Sequence, residues 1–372
     1  MSSIFKSLAK MRQKTKAVFS GVTDVIVVDQ GDGKYTSTPF NVKFGKLKFL
    51  NPGEELVIET LNIREKSVIK QMNLVKLVIY INGEERNDIQ FYLDDEQIGH
   101  FAYNKKEDID ELKQKYYQQT KQNVQQQQQQ QQQVDELHNY NNKFLCLSRV
   151  PTSKTIESLK LKQGQNSIVY EVECKRLGQQ HIECEIFVIK QNQKIFISDI
   201  DGTITKSPTK GMILSTFGRD YTQDHICAFY NMLHQRNYLI LYMSARSMVQ
   251  YESTKEYLLR QQQDGIQLPP GPVFLSPQEL LEAFTIEVIK KQTDILKSQM
   301  LNDLVFTIGI TGTIQGGMGD RLNDIQAYKM ANVQYERIFL INKKGEIVRV
   351  NNEMQEEKFT IKEIIQKIDQ IF

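Results

Sequence analysis

Two aspartates, Asp199 and Asp201, stand one residue apart at the end of the apolar run KIFIS and are followed by Gly202. Because an unpaired carboxylate is costly to bury, such a pair must cap a turn or bind a positive group. Carboxylates suit Mg²⁺, which neutralises the charge that builds up when a phosphoryl group is transferred. Asp199 would supply the attacking oxygen and a metal ligand, and Asp201 would act as general acid and base. Gly202 would let the chain turn away without a side chain that blocks the metal.

Later segments supply the other groups that this chemistry needs. Ser244 follows the apolar run YLILYM, and Lys290 and Lys291 lie in IEVIKKQTDILK. Asp320 and Asp324 lie in the glycine-rich segment GGMGDRLNDIQAY. A serine and a lysine can hold phosphate oxygens, and Asp320 is of the right type to complete the metal shell.

These groups need a scaffold that brings several strand ends together. After residue 192, apolar runs of strand length alternate with helical patterns, which indicates a mostly parallel, doubly wound α/β sheet. In such sheets the chemistry lies at the carboxyl ends of the strands. The expected strands are Lys194–Ser198, Leu239–Met243, Val273–Leu275, Val305–Ile310 and Arg337–Ile341. The expected helices are Asp224–Gln235, Ser247–Gln263, Ser276–Lys291 and Asp320–Met330.

The preceding part of the chain alternates apolar and polar residues, as half-buried strands do. This pattern covers residues 23–104 and returns at 143–192, which predicts a β-sandwich. The intervening segment 105–142 is charged and then rich in glutamine, with an uninterrupted run at 125–133. Such a segment buries too little apolar surface to order itself, so we expect a disordered insertion.

The first 22 residues combine apolar positions at helical spacing with basic residues between them, and no acidic residue precedes Asp24. This composition is typical of an amphipathic helix that lies on an anionic membrane surface. A helix that packs on its own protein is the alternative. The apolar positions that would enter the membrane are Ile4, Phe5, Leu8, Met11, Val18 and Phe19.

Composition excludes several classes of protein. The formal net charge of +2 argues against a strongly basic nucleic-acid-binding protein, and no apolar run is long enough to span a bilayer. The N-terminal segment lacks the apolar centre of a secretory signal, so we expect an intracellular protein. The four cysteines show no metal-binding spacing. Cys174 and Cys184 could face each other across a hairpin, but two ordinary buried thiols are the favoured interpretation.

Several segments resemble a known family. ISDIDGTITKS, YMSARS, PPGPVFLSP, EVIKK and GDRLNDIQAYK, in this order, are similar to the catalytic region of the lipins. The lipins are Mg²⁺-dependent phosphatidate phosphatases of the haloacid dehalogenase superfamily. SLKLKQGQNSIVYEV resembles the strand segment before their catalytic motif, and DVIVVDQGDGKYTSTPFNVKFGK resembles their N-terminal region. The similarity covers nearly the whole chain except the glutamine tract.

The resemblance implies three structural parts. Residues 1–22 would form an amphipathic membrane-binding helix. Residues 23–104 and 143–192 would form one immunoglobulin-like β-sandwich, split by the disordered insertion 105–142. Residues 193–372 would form a Rossmann-like catalytic domain.

The resemblance also implies roles for individual residues. Asp199 would be the nucleophile and a Mg²⁺ ligand, and Asp201 would be the acid and base, with its backbone carbonyl as a further ligand. Asp320 would complete the metal site. Thr203 and Ser244 would bind the phosphate. Arg246, close to Ser244 in sequence, could steady the phosphate or the glycerol region, although a structural ion pair is an equal alternative.

The chain departs from the lipin pattern at three places. Pro208 stands where the family commonly has an acidic residue after T-x-x-S, and Asp320 stands where it has the asparagine of G-N-R. The lysine segment commonly reads K-K-P, whereas here an ungapped alignment places Gln292 at the second lysine and Thr293 at the proline. The catalytic lysine is therefore one of three, with the second favoured: Lys290, Lys291 and Lys297.

Taken together, these observations favour an enzyme that hydrolyses phosphatidate to diacylglycerol and phosphate at an anionic membrane. The resemblance implies a cytoplasmic protein that associates peripherally with the endoplasmic reticulum or nuclear membrane. Two alternatives are a non-catalytic lipid-binding scaffold and a phosphoprotein phosphatase of the same superfamily. A scaffold does not need the two aspartates, the serine, a lysine and the late acidic residue, and a protein substrate does not need an interfacial helix.

Overall fold

The structure is a computed structural model of the 372-residue chain. It describes residues 15–16, 20–45, 74–126, 137–140, 143–174, 178–206, 222–277, 297, 300–301, 304–305, 313–350 and 356–372. The chain divides into two compact units, Met1–Val188 and Ile189–Phe372, each of which combines strands with helices. No helix within the described ranges has the length and apolar character that crossing a bilayer requires.

Strands dominate the first unit. They are β1 (Thr15–Lys16), β2 (Gly21–Val22), β3 (Val25–Gly31), β4 (Lys34–Ser37), β5 (Val42–Lys43), β6 (Val75–Lys76), β7 (Val78–Ile81), β8 (Glu84–Glu85), β9 (Phe91–Leu93), β10 (Gly99–Tyr103), β11 (Leu137–Tyr140), β12 (Lys143–Ser148), β13 (Gly164–Cys174) and β14 (Gly178–Lys190). The helices described in this unit are α1 (Lys106–Gln126) and α2 (Ser153–Ser158).

Two larger sheets organise these strands. One has the order β4-β3-β14-β13-β7-β8, with β1 parallel to β14, and the other has the order β11-β12-β10-β9-β6. The ring of Phe91 in the second sheet packs on Tyr170 of the first, with centroids 5.4 Å apart. The two sheets therefore contact each other through buried apolar side chains. Because β7 pairs with β13 and β10 pairs with β12, the strands on either side of 105–142 share both sheets.

The segment expected to be a disordered insertion contains the helix α1 and the strand β11, so that expectation is wrong for these residues. Ile109 and Leu112, three residues apart, are buried. Glu111 pairs with Lys115 at 2.8 Å and accepts a hydrogen bond from the backbone N–H of Ser153 at 2.9 Å. Glutamine is also a good helix former. The segment is polar on average, so its composition does not indicate the short apolar face formed by Ile109 and Leu112.

The six apolar positions assigned to membrane insertion, Ile4, Phe5, Leu8, Met11, Val18 and Phe19, lie outside the described residues. Within the span 1–22 the structure describes β1, in which Thr15 pairs with Gln180, and β2, in which Val22 pairs with Val42. The predicted helix therefore does not continue through Val22. This valine fits both the helical spacing and the alternating pattern that follows, and pairing with Val42 decides between them.

The long hairpin of β13 and β14 settles the arrangement of two cysteines. Cys174 lies opposite Gly178, and Cys184 lies opposite Ile168, so the two are not cross-strand partners. Cys184 is buried and is not part of a disulfide bond.

The second unit alternates strands and helices, as predicted. Its strands are β15 (Lys194–Asp199), β16 (Tyr238–Ser247), β17 (Gln262–Gln263), β18 (Ile266–Gln267), β19 (Val273–Ser276), β20 (Ile314–Gly319), β21 (Ile338–Ile341), β22 (Glu346–Val350) and β23 (Glu356–Thr360). Its described helices are α3 (Ile226–Gln235), α4 (Tyr251–Arg260), α5 (Leu322–Met330), α6 (Ile361–Gln366) and α7 (Ile368–Ile371), with 3₁₀ turns at Met248–Gln250 and Tyr335–Arg337.

The sheet of this unit has the order β19-β16-β15-β20-β21-β22-β23. Its first five strands are parallel, and β22 and β23 are antiparallel additions at one edge. From the central strand β15 the chain first builds outward through β16 to β19, and then returns to the other side of β15 for β20 and β21. The order of the strands therefore reverses between β15 and β20, which is where ligands bind in sheets of this kind.

The position of β20 differs from the prediction. The strand expected at Val305–Ile310 begins on a helical residue, and its other residues lie outside the described ranges. The glycine-rich stretch, for which no strand is predicted, forms β20. A Cβ on Gly316 would lie 2.7 Å from the ring of Phe196, and one on Gly317 would lie 2.7 Å from the ring of Tyr328. The glycines are required by close packing in a strand, rather than by a loop.

Candidate active site

The central strand β15 delivers Asp199 to the carboxyl edge of the sheet. The four residues before this aspartate are apolar or small and fully buried, and Asp199 itself is only 2 % exposed. Its backbone is held in register by β16 on one side, while β20 flanks the strand on the other. The site predicted from Asp-x-Asp therefore lies at the point where the strand order reverses.

Two further carboxylates lie beside Asp199. Ligand atoms of Asp199, Asp320 and Asp324 all fall within 4.8 Å of one another. Asp320 follows β20 directly, and Asp324 lies in the first turn of α5. Oδ2 of Asp324 accepts hydrogen bonds from the backbone N–H groups of Asp320 and Arg321, both at 3.1 Å. Asp324 thus fixes the turn that carries Asp320 and leaves its other oxygen for the site.

The geometry of this cluster fits a hard divalent cation. Oδ1 of Asp320 is buried and accepts no hydrogen bond from the described part of the chain, while Nε of Arg321 lies 3.6 Å away. Gly202 has φ = +93°, and a Cβ there would lie 2.6 Å from Cγ of Asp320. The predicted turn at Gly202 is therefore confirmed, and its missing side chain leaves room for Asp320. Carboxylate oxygens are the ligands that Mg²⁺ prefers.

Lys297 is the cation that the structure places in the site. Its Nζ lies 2.6 Å from Oδ1 of Asp199 and 2.9 Å from Oδ1 of Asp324. Although burial alone would lower the pKa of Lys297, the two carboxylates raise it above its ordinary value, so the ammonium form is retained. Lys290 and Lys291, the second of which was favoured for this role, lie outside the described residues.

One lysine does not balance the negative charge around Asp199. Burial raises the pKa of Asp199 to about 8, against the opposing effect of Lys297, and the carboxylates of Asp324, Asp201 and Asp320 add to the increase. Burial, together with Asp324, also raises the pKa of Asp320. A bound cation would offset both effects and stabilise the carboxylate form that a nucleophile needs.

The residues predicted to hold phosphate lie around the two aspartates of the motif. Oγ1 of Thr203 donates to Oδ2 of Asp199 at 3.3 Å, and Oγ of Ser244 donates to Oδ2 of Asp201 at 2.7 Å. Nε of Arg246 donates to the same oxygen of Asp201 at 2.8 Å, and its Nη2 donates to Oδ1. The side chain of Asp201 is therefore turned towards Ser244 and Arg246. It is not one of the three residues in the carboxylate cluster.

The sequence names Asp199, Asp201 and Asp320 as candidate metal ligands but not Asp324. The signal that could have found Asp324 is its position four residues after Asp320, at the start of a helix, where both carboxylates point towards one end. The sequence offers Lys297 only as a third alternative, because the pattern around residues 290–297 gives no indication of which lysine faces the sheet.

Comparison with known proteins assigns the chain to a family. Residues 147–372 match the family described as LNS2 (Lipin/Ned1/Smp2), and residues 1–77 match the lipin N-terminal conserved region. The human phosphatidate phosphatase LPIN1 is 39 % identical over 199 residues, which are 53 % of this chain and 22 % of that protein.

Relatives from other kingdoms align over a similar part. Phosphatidate phosphatase PAH1 of Arabidopsis thaliana is 35 % identical over 212 residues, 56 % of this chain and 23 % of its own length. Phosphatidic acid phosphohydrolase 1 of Saccharomyces cerevisiae is 34 % identical over 207 residues, 53 % of this chain and 24 % of its own length. The alignments thus span about a quarter of these relatives. With a family match over more than half of its residues, the chain belongs to the lipin family.

Proposed function

We propose that this chain is a Mg²⁺-dependent phosphatidate phosphatase that releases diacylglycerol and phosphate through an aspartyl-phosphate intermediate. The observation that carries the proposal is the contact of Lys297 with Asp199 and Asp324, beside Asp320, at the reversal point of the sheet. The names of the relatives, which are phosphatidate phosphatases, support the choice of substrate.

Asp199 is the group placed to attack phosphorus. An oxygen of its carboxylate forms the new bond to phosphorus as the bond from phosphorus to the diacylglycerol oxygen breaks. Lys297 holds the attacking carboxylate in place and offsets the charge that develops on the phosphoryl oxygens. Mg²⁺, when bound by Asp199, Asp320, Asp324 and the backbone carbonyl of Asp201, would reduce the repulsion between the carboxylate and the phosphate dianion.

Asp201 is the proposed acid and base of both steps. It gives a proton to the leaving oxygen in the first step, and then takes a proton from the water that hydrolyses the aspartyl phosphate. Thr203, Ser244 and Arg246 would hold phosphate oxygens during both steps, since their hydroxyl and guanidinium groups already lie beside the two aspartates.

The architecture supports finer assignments that are also proposals. The five parallel strands, with the site at the reversal point, support a Rossmann-like catalytic domain of the haloacid dehalogenase type over 193–372. The two facing sheets shared by 23–104 and 143–192 support an immunoglobulin-like sandwich. Residues 105–142 would be an insertion into that sandwich, partly ordered as α1.

We further propose that the N-terminal segment brings the enzyme to its lipid substrate. The apolar face of Ile4, Phe5, Leu8 and Met11 would enter an anionic surface, and the basic residues Lys6, Lys10, Arg12 and Lys14 would each add about 1 kcal/mol. The protein would then act in the cytoplasm, peripherally bound to the endoplasmic reticulum or nuclear membrane. The enzyme would bind phosphatidate in that membrane, and we expect it to bind no nucleic acid.

The decisive experiment measures phosphate release from phosphatidate vesicles with and without Mg²⁺. We expect turnover only with Mg²⁺, and at least a 1000-fold loss in Asp199→Asn, which keeps the size of the side chain but removes the nucleophile. Activity of Asp199→Asn within about tenfold of the wild type would refute the covalent route, because each decade corresponds to about 1.4 kcal/mol.

Deletion of residues 1–14, which leaves β1 in place, tests the membrane role separately. We expect the deletion to remove most activity on vesicles and to spare a short-chain, water-soluble phosphatidate, because Asp199 and its partners lie in another unit. Higher salt should weaken vesicle binding of the intact chain, since charge is screened over roughly 8–10 Å. Equal loss on both substrates, together with a lower melting temperature, would mean that the segment serves folding instead.

A further inference from the structure

The carboxylate of Asp201 occupies the donors that a substrate phosphate would need. Oγ of Ser244 lies 2.7 Å from its Oδ2, and Nε of Arg246 lies 2.8 Å from the same atom. Nη2 of Arg246 donates to Oδ1, so the guanidinium binds both oxygens of the carboxylate. A guanidinium binds carboxylate and phosphate in the same two-pronged way. Asp201 therefore fills an anion site that is already formed.

Arg246 is fixed in place by its other contacts. Its backbone N–H donates to Oγ of Ser244 at 3.1 Å, and its Nη1 donates to Oγ1 of Thr254 at 3.4 Å. Thr254 is fully buried in α4, and the side chain of Arg246 is only 11 % exposed. Any exchange of partners at this site must therefore move the carboxylate rather than the guanidinium.

Asp201 has more freedom than Arg246. It lies in the turn after β15, directly before Gly202, whose φ of +93° marks the change of chain direction. Within the described part of the chain, the carboxylate accepts hydrogen bonds from Ser244 and Arg246, and rotation of the Asp201 side chain would break them all. While these bonds hold, neither oxygen is available to a leaving group beside Asp199.

We propose that Asp201 and the phosphate group of the substrate compete for Ser244 and Arg246. This inference rests on the proposed function and adds an order of events to it. In the free enzyme the carboxylate of Asp201 holds the anion site. An arriving phosphomonoester takes over Arg246 and Ser244. The released carboxylate of Asp201 takes up a proton from solvent, turns to the leaving oxygen and gives it that proton. The acid and base is thus withheld until a phosphate is in place.

A double-mutant cycle on phosphate binding tests the competition without relying on turnover. Binding of inorganic phosphate to the full chain is measured by calorimetry with Mg²⁺ present, for the wild type, Asp201→Ala, Arg246→Met and the double variant. We expect Asp201→Ala to tighten phosphate binding at least about fivefold, the lower end of typical coupling between sites. In the Arg246→Met background the same change should alter the affinity less than about twofold.

The cycle separates competition from simple repulsion. If Asp201 only repels phosphate through its charge, its removal tightens binding equally in both backgrounds, and the inference is overturned. No tightening in Asp201→Ala would overturn it as well. Arg246→Lys, which keeps the charge but cannot bind two oxygens at once, should retain only part of the coupling. Asp201→Asn, which keeps the size of the side chain, should show the same sign if Asp201→Ala fails to fold.

The same measurements distinguish this inference from the proposed function. Phosphate binding by the wild type without coupling to Arg246 would remove the competition and leave the phosphatase proposal in place. Failure of every variant to bind phosphate in the presence of Mg²⁺ would overturn both.

Discussion

Replacement of Gly202 by alanine should damage the metal site more than the fold. Gly202 has φ = +93°, a conformation that costs an L-residue about 1–2 kcal/mol. For a unit of this size each kcal/mol lowers the melting temperature by about 2–4 °C, so the strain predicts a decrease of roughly 2–8 °C. The new Cβ would also lie 2.6 Å from Cγ of Asp320, so that this carboxylate must move.

The displacement of Asp320 sets the expected loss of function. Groups that merely orient a metal ligand change affinity or activity by about 10–100-fold, and here a proposed ligand itself is moved. We therefore expect at least a 100-fold loss of phosphatase activity, or about 2.7 kcal/mol at about 1.4 kcal/mol per decade. A raised Mg²⁺ requirement should accompany this loss.

Gly265→Ala provides the matched control. Gly265 lies in the same unit with φ = +80°, but a Cβ there meets no atom within 4 Å. This variant should show a similar fall in melting temperature with nearly normal activity and Mg²⁺ requirement. The assays are thermal unfolding and phosphate release across a Mg²⁺ titration. If Gly202→Ala loses no more activity than Gly265→Ala, then the missing side chain of Gly202 is not what allows Asp320 to take its position.

Three other predictions concern Lys297, Tyr103 and the removal of Mg²⁺. Lys297→Met should lower phosphate release at least about 100-fold, whereas Lys291→Met should change it less than about threefold. A larger loss of phosphate release in Lys291→Met than in Lys297→Met would assign the catalytic role to Lys291. Tyr103→Phe removes a hydroxyl that contacts the backbone N–H of Thr152 and Oγ1 of Thr155, and should cost about 1 kcal/mol in urea unfolding at pH 8. Burial raises the pKa of Tyr103 to about 12, above the ordinary value of about 10, so its neutral form stabilises the wild type below pH 10. This stability declines as the pH rises towards 12, and by pH 11 the wild type should lose about 1.4 kcal/mol more than the variant. Parallel pH profiles of the two proteins would contradict this. Chelation of Mg²⁺ should stop turnover and Ca²⁺ should restore little of it, because Ca²⁺ accepts longer bonds and a looser shell; full activity in excess chelator would exclude the metal.

The sequence predicted the catalytic sheet best where the signal is local. The run that ends at Asp199 is apolar, short and followed by a turn with a glycine, and the structure confirms both the strand and the turn. The helices α3 and α4 also lie within their predicted spans, because each has a clear three- and four-residue apolar spacing.

Other features depend on partners that are remote in sequence. A glycine-rich stretch such as that of Gly316 and Gly317 is typical of a loop, but here the rings of Phe196 and Tyr328 pack where the side chains would stand. Lys297 enters the site through its contacts with Asp199, 98 residues earlier, and with Asp324, 27 residues later. No local pattern contains that information, so the choice between neighbouring lysines needed the fold.

The interleaving of strands in the first unit governs the order in which this protein can fold during synthesis. β3 lies between β4 and β14, and the N–H of Glu185 donates to Asp24, 161 residues earlier. Contacts of such high sequence separation form slowly, and the larger sheet cannot close until β14 has left the ribosome. Until then, the early strands present open edges on which other chains can pair. The cost of closing a loop rises by only about 0.6 kcal/mol for each doubling of its length. Gain or loss of glutamines in the run at 125–133 should therefore change the stability of the folded unit little and its folding rate more.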